Sequence, residues 1–267
     1  MYFLKINIYV NMNLLNLVKN LLNTRKNINK KELPSQGLFY QDDFEISIKK
    51  ADFEDIIEYE VNFSKENIGL IIYKVKTIVE KNIILSNNYA FEDIKSIDVV
   101  YIFLEIVKFT KDKPIKINYI DEETGYNDTI EFNTGYFNYF KISEKLMNCY
   151  NKDLKCFVID DYKFSLPTIG IENSLTNFLI IKQTSANTNV YSNYFYEFTY
   201  FLLDKNKLGF ADIENLIQIF NFDIEPEELK KVKNILKTFQ PMQKYSLIKN
   251  GRVIDINSRI DLENIWK

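Results

Sequence analysis

The chain has 267 residues, a net charge of −3 with both signs interspersed, and no histidine. Because histidine is absent, Ser-His-Asp and Cys-His catalysis and histidine-ligated metal sites are excluded. The charge balance also lacks the basic excess that generic nucleic-acid binding requires. Apolar residues make up 46% and aromatic residues 15%, mainly 21 Phe and 18 Tyr, so the chain can build a substantial core.

Cysteine usage and hydropathy narrow the class of protein further. Cys149 and Cys156 do not have the spacing of a zinc knuckle, and free buried thiols are predicted rather than a disulfide framework. No run reaches the roughly 18 apolar residues of a membrane-spanning helix. The apolar start Met1–Val10 has no small-residue cleavage site after it. We therefore expect a cytosolic or particle-bound protein, and we predict no catalytic, cofactor-binding or metal-binding residue.

The first segment, residues 1–32, is predicted to be a helical arm and a linker. A basic, Asn-rich connector runs from Thr24 to Lys31. The arm can bind a partner or can pack as a terminal helix on its own domain, and the pattern slightly favours packing. Its apolar residues recur at helical spacing: Leu14, Leu15, Leu17, Val18, Leu21 and Leu22.

A rigid turn follows at Leu33–Tyr40. Pro34 fixes one φ angle and forbids helix, and Gly37 allows the positive φ that other residues resist. Strict alternation over Phe44–Lys49 predicts a strand with one buried face. The acidic stretch Ala51–Asp55 predicts a helix start, because carboxylates suit the positive end of the helix dipole. The unit is thus turn, strand and acidic helix.

Two helices are predicted next. Apolar residues at three-to-four spacing indicate an amphipathic helix from Ile68 to about Asn82. The stretch Ser96–Val107 has Ser96 as its predicted N-cap and is apolar almost all round. Such a helix is buried either in the core or in an oligomer interface.

The middle of the chain is predicted to be rich in β-hairpins. Ile115–Tyr119 and Thr129–Phe132 alternate on either side of the acidic loop Asp121–Asp128. This loop does not follow the EF-hand pattern, so we read it as a solvated loop. A second hairpin is predicted from Lys155–Ile159 and Tyr162–Leu166, which leads into Leu166-Pro167-Thr168.

The remainder is predicted to be helical and closed by a hairpin. Thr168 is a candidate cap for a helix that begins near Ile171. Asn250-Gly251 between alternating runs predicts a terminal hairpin, and Trp266 lies next to the end. The helical segments are predicted near 171–182, 191–205, 211–221 and 225–239.

The fold class predicted from these elements is α+β. It comprises an N-terminal turn-strand-helix unit, a β-hairpin-rich middle and a helical C-terminal half closed by a β-hairpin. Three segments are expected: the arm and linker at 1–32, an α+β domain at 33–168, and a mainly helical domain with the terminal hairpin at 169–267.

The order of these motifs resembles the baseplate hub subunits and hub assembly proteins of contractile-tailed bacteriophages. In that family a Leu-Pro-Ser-x-Gly-x-x-Tyr turn comes first, and a short strand later enters Leu-Pro-Thr before a helix. The hairpin tips in the family often carry Cys-x-x-Cys-Gly knuckles, whereas the tips here, Asp121–Asp128 and Lys249–Gly251, contain no cysteine. Any zinc-dependent role therefore does not carry over. The residues that match are Leu33, Pro34, Ser35, Gly37, Tyr40, Leu166, Pro167 and Thr168.

The resemblance implies a non-enzymatic baseplate hub component or hub assembly factor that works by protein–protein recognition. Its expected partners are other phage baseplate or tail proteins, with a homo-oligomer left open and with no nucleic acid and no membrane. Its expected location is the virion tail baseplate, or the host cytoplasm during assembly. Aromatic residues favour interfaces, and the candidate interface residues are Tyr191, Tyr194, Phe195, Tyr196, Phe198, Tyr200 and Phe201.

Two alternatives stay open at this stage. A carboxylate-dependent cell-wall glycosidase needs two acids across one cleft, and the adjacent pairs Glu54–Asp55 and Glu227–Glu228 are candidates. Both pairs lie at predicted helix starts, where acids are expected without catalysis. The other alternative is a host-interaction or adaptor protein outside the particle, for which the N-terminal arm and the basic connector would be suited.

Overall fold

The computed structural model shows an α+β protein of helices and small antiparallel sheets. It describes residues 24–61, 68–86, 88–120, 125, 127–131, 144–159, 162–183, 210–218, 246–249, 252–255 and 265–266, and also 227, 230 and 234. The predicted fold class is therefore confirmed. The predicted N-terminal helix at Leu14–Leu22 and the predicted helix at 191–205 lie outside the described residues, as does most of the one at 225–239.

The first sheet has three strands, with β2 (Ile46–Lys49) between β1 (Arg25–Ile28) and β3 (Ile83–Leu85). Ile46 and Ile48 of β2 are buried, as the alternation predicts. Strand β1 lies inside the segment expected to be a connector. Its polar sequence hides the pattern because Lys26 turns inward to an ion pair with Glu105.

Two helices follow β2 and lie side by side. Helix α1 (Phe53–Val61) begins after Asp52, whose Oδ1 accepts the Asp55 N–H at 2.9 Å. Helix α2 (Ile68–Asn82) runs directly into β3. The two helices are joined where Lys81 Nζ lies 2.9 Å from Asp55 Oδ1 and where Lys74 Nζ donates to the Glu58 carbonyl at 2.6 Å.

Helix α3 (Val99–Lys111) is the centre of the core. It is buried within the chain, which decides between the two environments that its sequence allowed. The predicted N-cap at Ser96 is wrong, because residues Ser96–Asp98 form a 3₁₀ turn and Asp98 occupies the cap position. Its buried residues are Val99, Tyr101, Ile102, Phe103, Leu104, Glu105, Ile106 and Val107.

The predicted hairpins are present. β4 (Lys116–Ile120) pairs with β5 (Asn127–Glu131), and β9 (Ser246–Lys249) pairs with β10 (Arg252–Asp255) in a register that places Lys249 opposite Arg252. β7 (Cys156–Ile159) pairs with β8 (Tyr162–Phe164) and also with a short strand, β6 (Tyr150–Asn151). Both cysteines are free thiols, and Cys156 is buried.

Three further helices have bounds within the described ranges: α4 (Glu144–Met147), α5 (Ile169–Gln183) and α6 (Phe210–Gln218). Trp266 packs in the core around α3, where its ring lies 6.0 Å from that of Phe103 and 6.4 Å from that of Tyr59. Lys111 Nζ donates to the Ile265 carbonyl at 3.2 Å. None of the helices in the described ranges has the length and hydropathy needed to cross a membrane.

Candidate functional site

The turn at Leu33–Tyr40 is a closely bonded structure rather than a loose loop. The Gln36 N–H donates to the Leu33 carbonyl at 2.7 Å, and the Leu38 N–H donates to the Ser35 carbonyl at 3.2 Å. Gln36 and Gly37 have φ values of 56° and 70°. A Cβ at Gly37 would lie 3.0 Å from the Lys30 carbonyl oxygen, so this position needs glycine both for its φ and for space.

The buried carboxylate of Asp98 holds this turn in place. Its Oδ1 accepts the Ser35 backbone N–H at 2.8 Å, and its Oδ2 accepts the Tyr40 hydroxyl at 2.7 Å. The Tyr40 oxygen in turn accepts the Lys95 backbone N–H at 2.8 Å. Ser35, Tyr40 and Asp98 are all buried. Because the Asp98 side chain turns toward Ser35 and Tyr40, it does not cap α3.

The second motif, Leu166-Pro167-Thr168, packs against the segment Ile94–Asp98, which contains Asp98 and Lys95. The Ser96 N–H donates to the Pro167 carbonyl at 3.0 Å, and the Ile169 N–H donates to the Ile94 carbonyl at 2.9 Å. Thr168 Oγ1 accepts the Ile171 N–H at 3.2 Å, so Thr168 caps α5 as predicted. The helix begins at Ile169, slightly earlier than expected.

The segment Ile94–Asp98 therefore joins two motifs that lie far apart in sequence. Lys95 forms a β-bridge with Thr168, and its Nζ donates to Ser165 Oγ at 3.3 Å. We call this arrangement the Asp98 junction, defined by Ser35, Tyr40, Lys95, Asp98, Ser165, Pro167 and Thr168.

Burial disturbs both charged groups of the Asp98 junction. Desolvation raises the pKa of Asp98 to about 6, although the Ser35 and Tyr40 hydrogen bonds act in the opposite direction. Desolvation lowers the pKa of Lys95 to about 8, against the attraction of Asp98 and Asp93. Each group thus favours its neutral form more than it would in water.

An aromatic cluster holds the outer side of the turn. The Phe39 ring lies 5.6 Å from that of Phe157, and the Tyr40 ring stacks on that of Phe44 at 3.9 Å. The Tyr150 hydroxyl donates to the Leu38 carbonyl. The turn is therefore bonded to α3 on one side and to the β6–β8 sheet on the other.

A buried lysine beside a serine resembles a nucleophile and its base. At the Asp98 junction, however, Lys95 and Ser165 are only 7% and 4% exposed, so a substrate cannot reach them in this conformation. The contact instead gives the buried lysine a polar partner, which a buried charge requires.

Of the two acid pairs considered for a glycosidase, Glu54 and Asp55 do not face one cleft. Asp55 is buried and bonded to Lys81 and Asn82, whereas Glu54 is exposed. Glu227 is exposed, and Glu228 lies outside the described residues. The described ranges also contain no group of three or more acids or cysteines that could hold a metal ion.

A groove of about 440 Å³ lies at the first sheet, next to the turn. Two of its charged lining residues, Lys30 and Asp42, are engaged within the protein. Lys30 Nζ donates to the carbonyls of Gln41 and Asp42, and the Asp42 carboxylate pairs with Lys155 at 2.8 Å, which lowers the pKa of Asp42. We assign no chemistry to this groove.

The sequence identified the two motifs but not the residues that join them. Asp98 and Lys95 were missed, although two charged residues beside the apolar run from Val99 to Val107 were a visible signal. The candidate interface lies outside the described residues: Tyr191, Tyr194, Phe195, Tyr196, Phe198, Tyr200 and Phe201.

Comparison with known proteins gave no relative. No protein-family model, no curated protein and no solved structure matches this chain.

Proposed function

We propose that this chain is a non-enzymatic component or assembly factor of the baseplate hub in a contractile phage tail. It works by recognising other baseplate or tail proteins, in the virion or in the host cytoplasm during assembly. The proposal rests on the resemblance of the ordered motifs, from Leu33 to Trp266, to the hub family.

The observation that supports it most is the Asp98 junction. The turn Leu33–Tyr40 and the segment Leu166–Thr168 carry the resemblance. The turn, together with residues 165–169, meets Ile94–Asp98 through six hydrogen bonds. Two motifs that matched the family by chance would not be expected to contact the same segment, Ile94–Asp98, in the fold. Their meeting favours a single structural unit that the motifs encode together.

A unit of this kind suits recognition better than catalysis. Its Ser35, Tyr40, Lys95 and Asp98 side chains are buried and bonded within the protein, so they fix the orientation of α3, the turn and α5. Rigid placement of surface elements reduces the ordering cost of binding a partner. The junction would therefore act as a scaffold, and the contacts with partners would come from the outer faces of the elements that it fixes.

Silencing this gene during infection by the phage that carries it tests the proposal. We expect heads and free tail parts to accumulate without complete contractile tails, as seen by electron microscopy of lysates. Expression of the wild-type chain from a plasmid should restore tails, and the exposed-site variant Asp153→Asn should restore them equally. Normal tails in the absence of the protein would overturn the proposal and would favour an adaptor role outside the particle.

A further inference from the structure

Helix α1 has a buried face and an exposed apolar face. Asp55 and Tyr59 are 5% and 1% exposed and face the core. On the opposite side Phe53 is 75% exposed and Ile57 is 41% exposed. These two residues are one helical turn apart, so they form a continuous ridge. We call Phe53 and Ile57 the α1 stripe.

Glutamates flank the α1 stripe on both sides. At about 100° per residue, Glu54 and Glu58 lie on one side of the stripe and Glu60 lies on the other. Helix α1 contains four acids and no base. Lys81 bonds Asp55 and lies 3.5 Å from Glu58. No ion pair with a described residue engages Glu54 or Glu60.

We propose that the α1 stripe is the docking site for a basic amphipathic helix of a partner protein. Leucine or isoleucine side chains of the partner pack against Phe53 and Ile57, and flanking Lys or Arg side chains reach Glu54 and Glu60. This is the side-by-side pairing of helices in which apolar seams give affinity and flanking charges select the partner. The inference rests on the proposed function in one respect: that proposal identifies the partner as a tail protein.

Charge excludes the other occupants. A second copy of α1 would bring glutamates against glutamates, which is repulsive. Anionic lipid and nucleic acid are repelled for the same reason. The chain's own N-terminal segment 11–23 has leucines but a single base, Lys19, so its charge matches at most one of the two acidic flanks.

The probe is a fluorescently labelled Leu/Lys peptide of about 18 residues, long enough to form a helix on binding. Its leucines form one stripe and its lysines flank that stripe. A matched Leu/Glu peptide has the same stripe with reversed charge. Binding to the full chain is followed by fluorescence anisotropy at low and at high salt. We expect saturable binding of the Leu/Lys peptide that weakens with salt, and at least tenfold weaker binding of the Leu/Glu peptide.

Surface variants locate the site. Phe53→Ser combined with Ile57→Ser should weaken binding of the Leu/Lys peptide at least tenfold. Glu54→Lys combined with Glu60→Lys should reverse the preference between the two peptides. The control is Ile72→Ser combined with Tyr73→Ser, because these side chains are 50% and 67% exposed on α2, and it should bind as wild type. Circular dichroism of each variant checks that the fold is retained.

Binding that is unchanged by the α1 variants, or that the α2 control weakens equally, would overturn the inference. So would equal binding of the two peptides, or tighter binding of a peptide of residues 11–23 than of the Leu/Lys peptide. These failures are distinguishable from failure of the proposed function. If the chain binds the peptide at α1 but is dispensable for tail assembly, only the hub role is overturned. If the chain is required for tail assembly but does not bind the peptide at α1, only the docking site is overturned.

Discussion

The Asp98 side chain joins two parts of the chain that lie far apart in sequence. It is fully buried and accepts hydrogen bonds from Ser35 and Tyr40. Replacing it leaves those two donors without their acceptor, and a buried unsatisfied donor costs about 1–3 kcal/mol. Asp98 therefore stabilises the turn chiefly by preventing that loss.

The raised pKa of Asp98 predicts a specific pH dependence of stability. Burial raises the pKa of Asp98 to about 6 in the folded state, whereas the ordinary pKa of an aspartate side chain is 3.8. The contribution of Asp98 to stability is therefore largest below about pH 4 and falls as the pH rises to about 6. The total fall is on the order of 3 kcal/mol.

Urea unfolding of the wild type and of Asp98→Asn between pH 4 and pH 7 measures this effect. The free energy of unfolding of the wild type, minus that of the variant, should fall as the pH rises through this window. Asp153→Asn, at an exposed loop position, is the control and should leave the profile unchanged. A difference that is constant with pH would show that Asp98 does not titrate in this range.

Gly37 gives a second test at the residue scale. Gly37 and Gly125 have similar φ values of 70° and 65°, but a Cβ at Gly125 would meet nothing within 4 Å. Gly125→Ala should therefore cost about 1 kcal/mol from φ strain alone. Gly37→Ala should cost more, because its Cβ would also press on the Lys30 backbone. Gln36→Ala should cost little, since it replaces one L residue by another at the same φ. Equal urea midpoints for both glycine variants would contradict this packing.

Secondary-structure elements were largely predictable because their signals are local. The bounds of α2 and the pairs β4–β5 and β9–β10 follow from apolar period and turn residues. The strand β1 was missed because Ile28 is its one buried residue and the other residue on that face is a lysine, Lys26, which pairs with Glu105 of α3. The start of α3 was misplaced because the Asp98 side chain bonds to a distant turn, and that contact leaves no trace in the local sequence.

Substitution of Thr168 tests how much the N-terminal cap of α5 contributes to stability. Its hydroxyl accepts the Ile171 N–H, and loss of such a cap costs about 1 kcal/mol. Thr168→Val should lower the free energy of unfolding by that amount, and Thr168→Ser should largely retain it. The control is Thr176→Val, because Thr176 is exposed and its hydroxyl donates to the Glu172 carbonyl within α5. A loss as large at Thr176 as at Thr168 would contradict the capping role.

At the scale of the whole molecule, Ile265 and Trp266 pack in the core around α3. Trp266 is the one tryptophan of the sequence, and it packs against Tyr59 and Phe103. This placement was not predictable, because a tryptophan near a terminus has no local pattern that names its partners. The partners come from α1 and α3, far earlier in the chain.

Trp266 can report whether this core unfolds as one unit. Its emission should be blue-shifted in the native protein and should move to the red on unfolding, because the ring is 8% exposed. We expect its urea transition to coincide with that of far-ultraviolet circular dichroism. Asp98→Ala should shift both transitions by the same amount. A tryptophan transition at clearly lower urea would show that the terminus detaches before the core unfolds.

The measurement that tests the hub role most directly is cross-linking mass spectrometry of tail intermediates purified from infected cells. We expect this chain in intermediates that contain the baseplate hub, cross-linked to at least one other tail protein. A fixed copy number in finished virions would identify a structural subunit, and its loss from them an assembly factor. Absence of the chain from every tail intermediate, with no cross-link to a tail protein, would contradict the hub role.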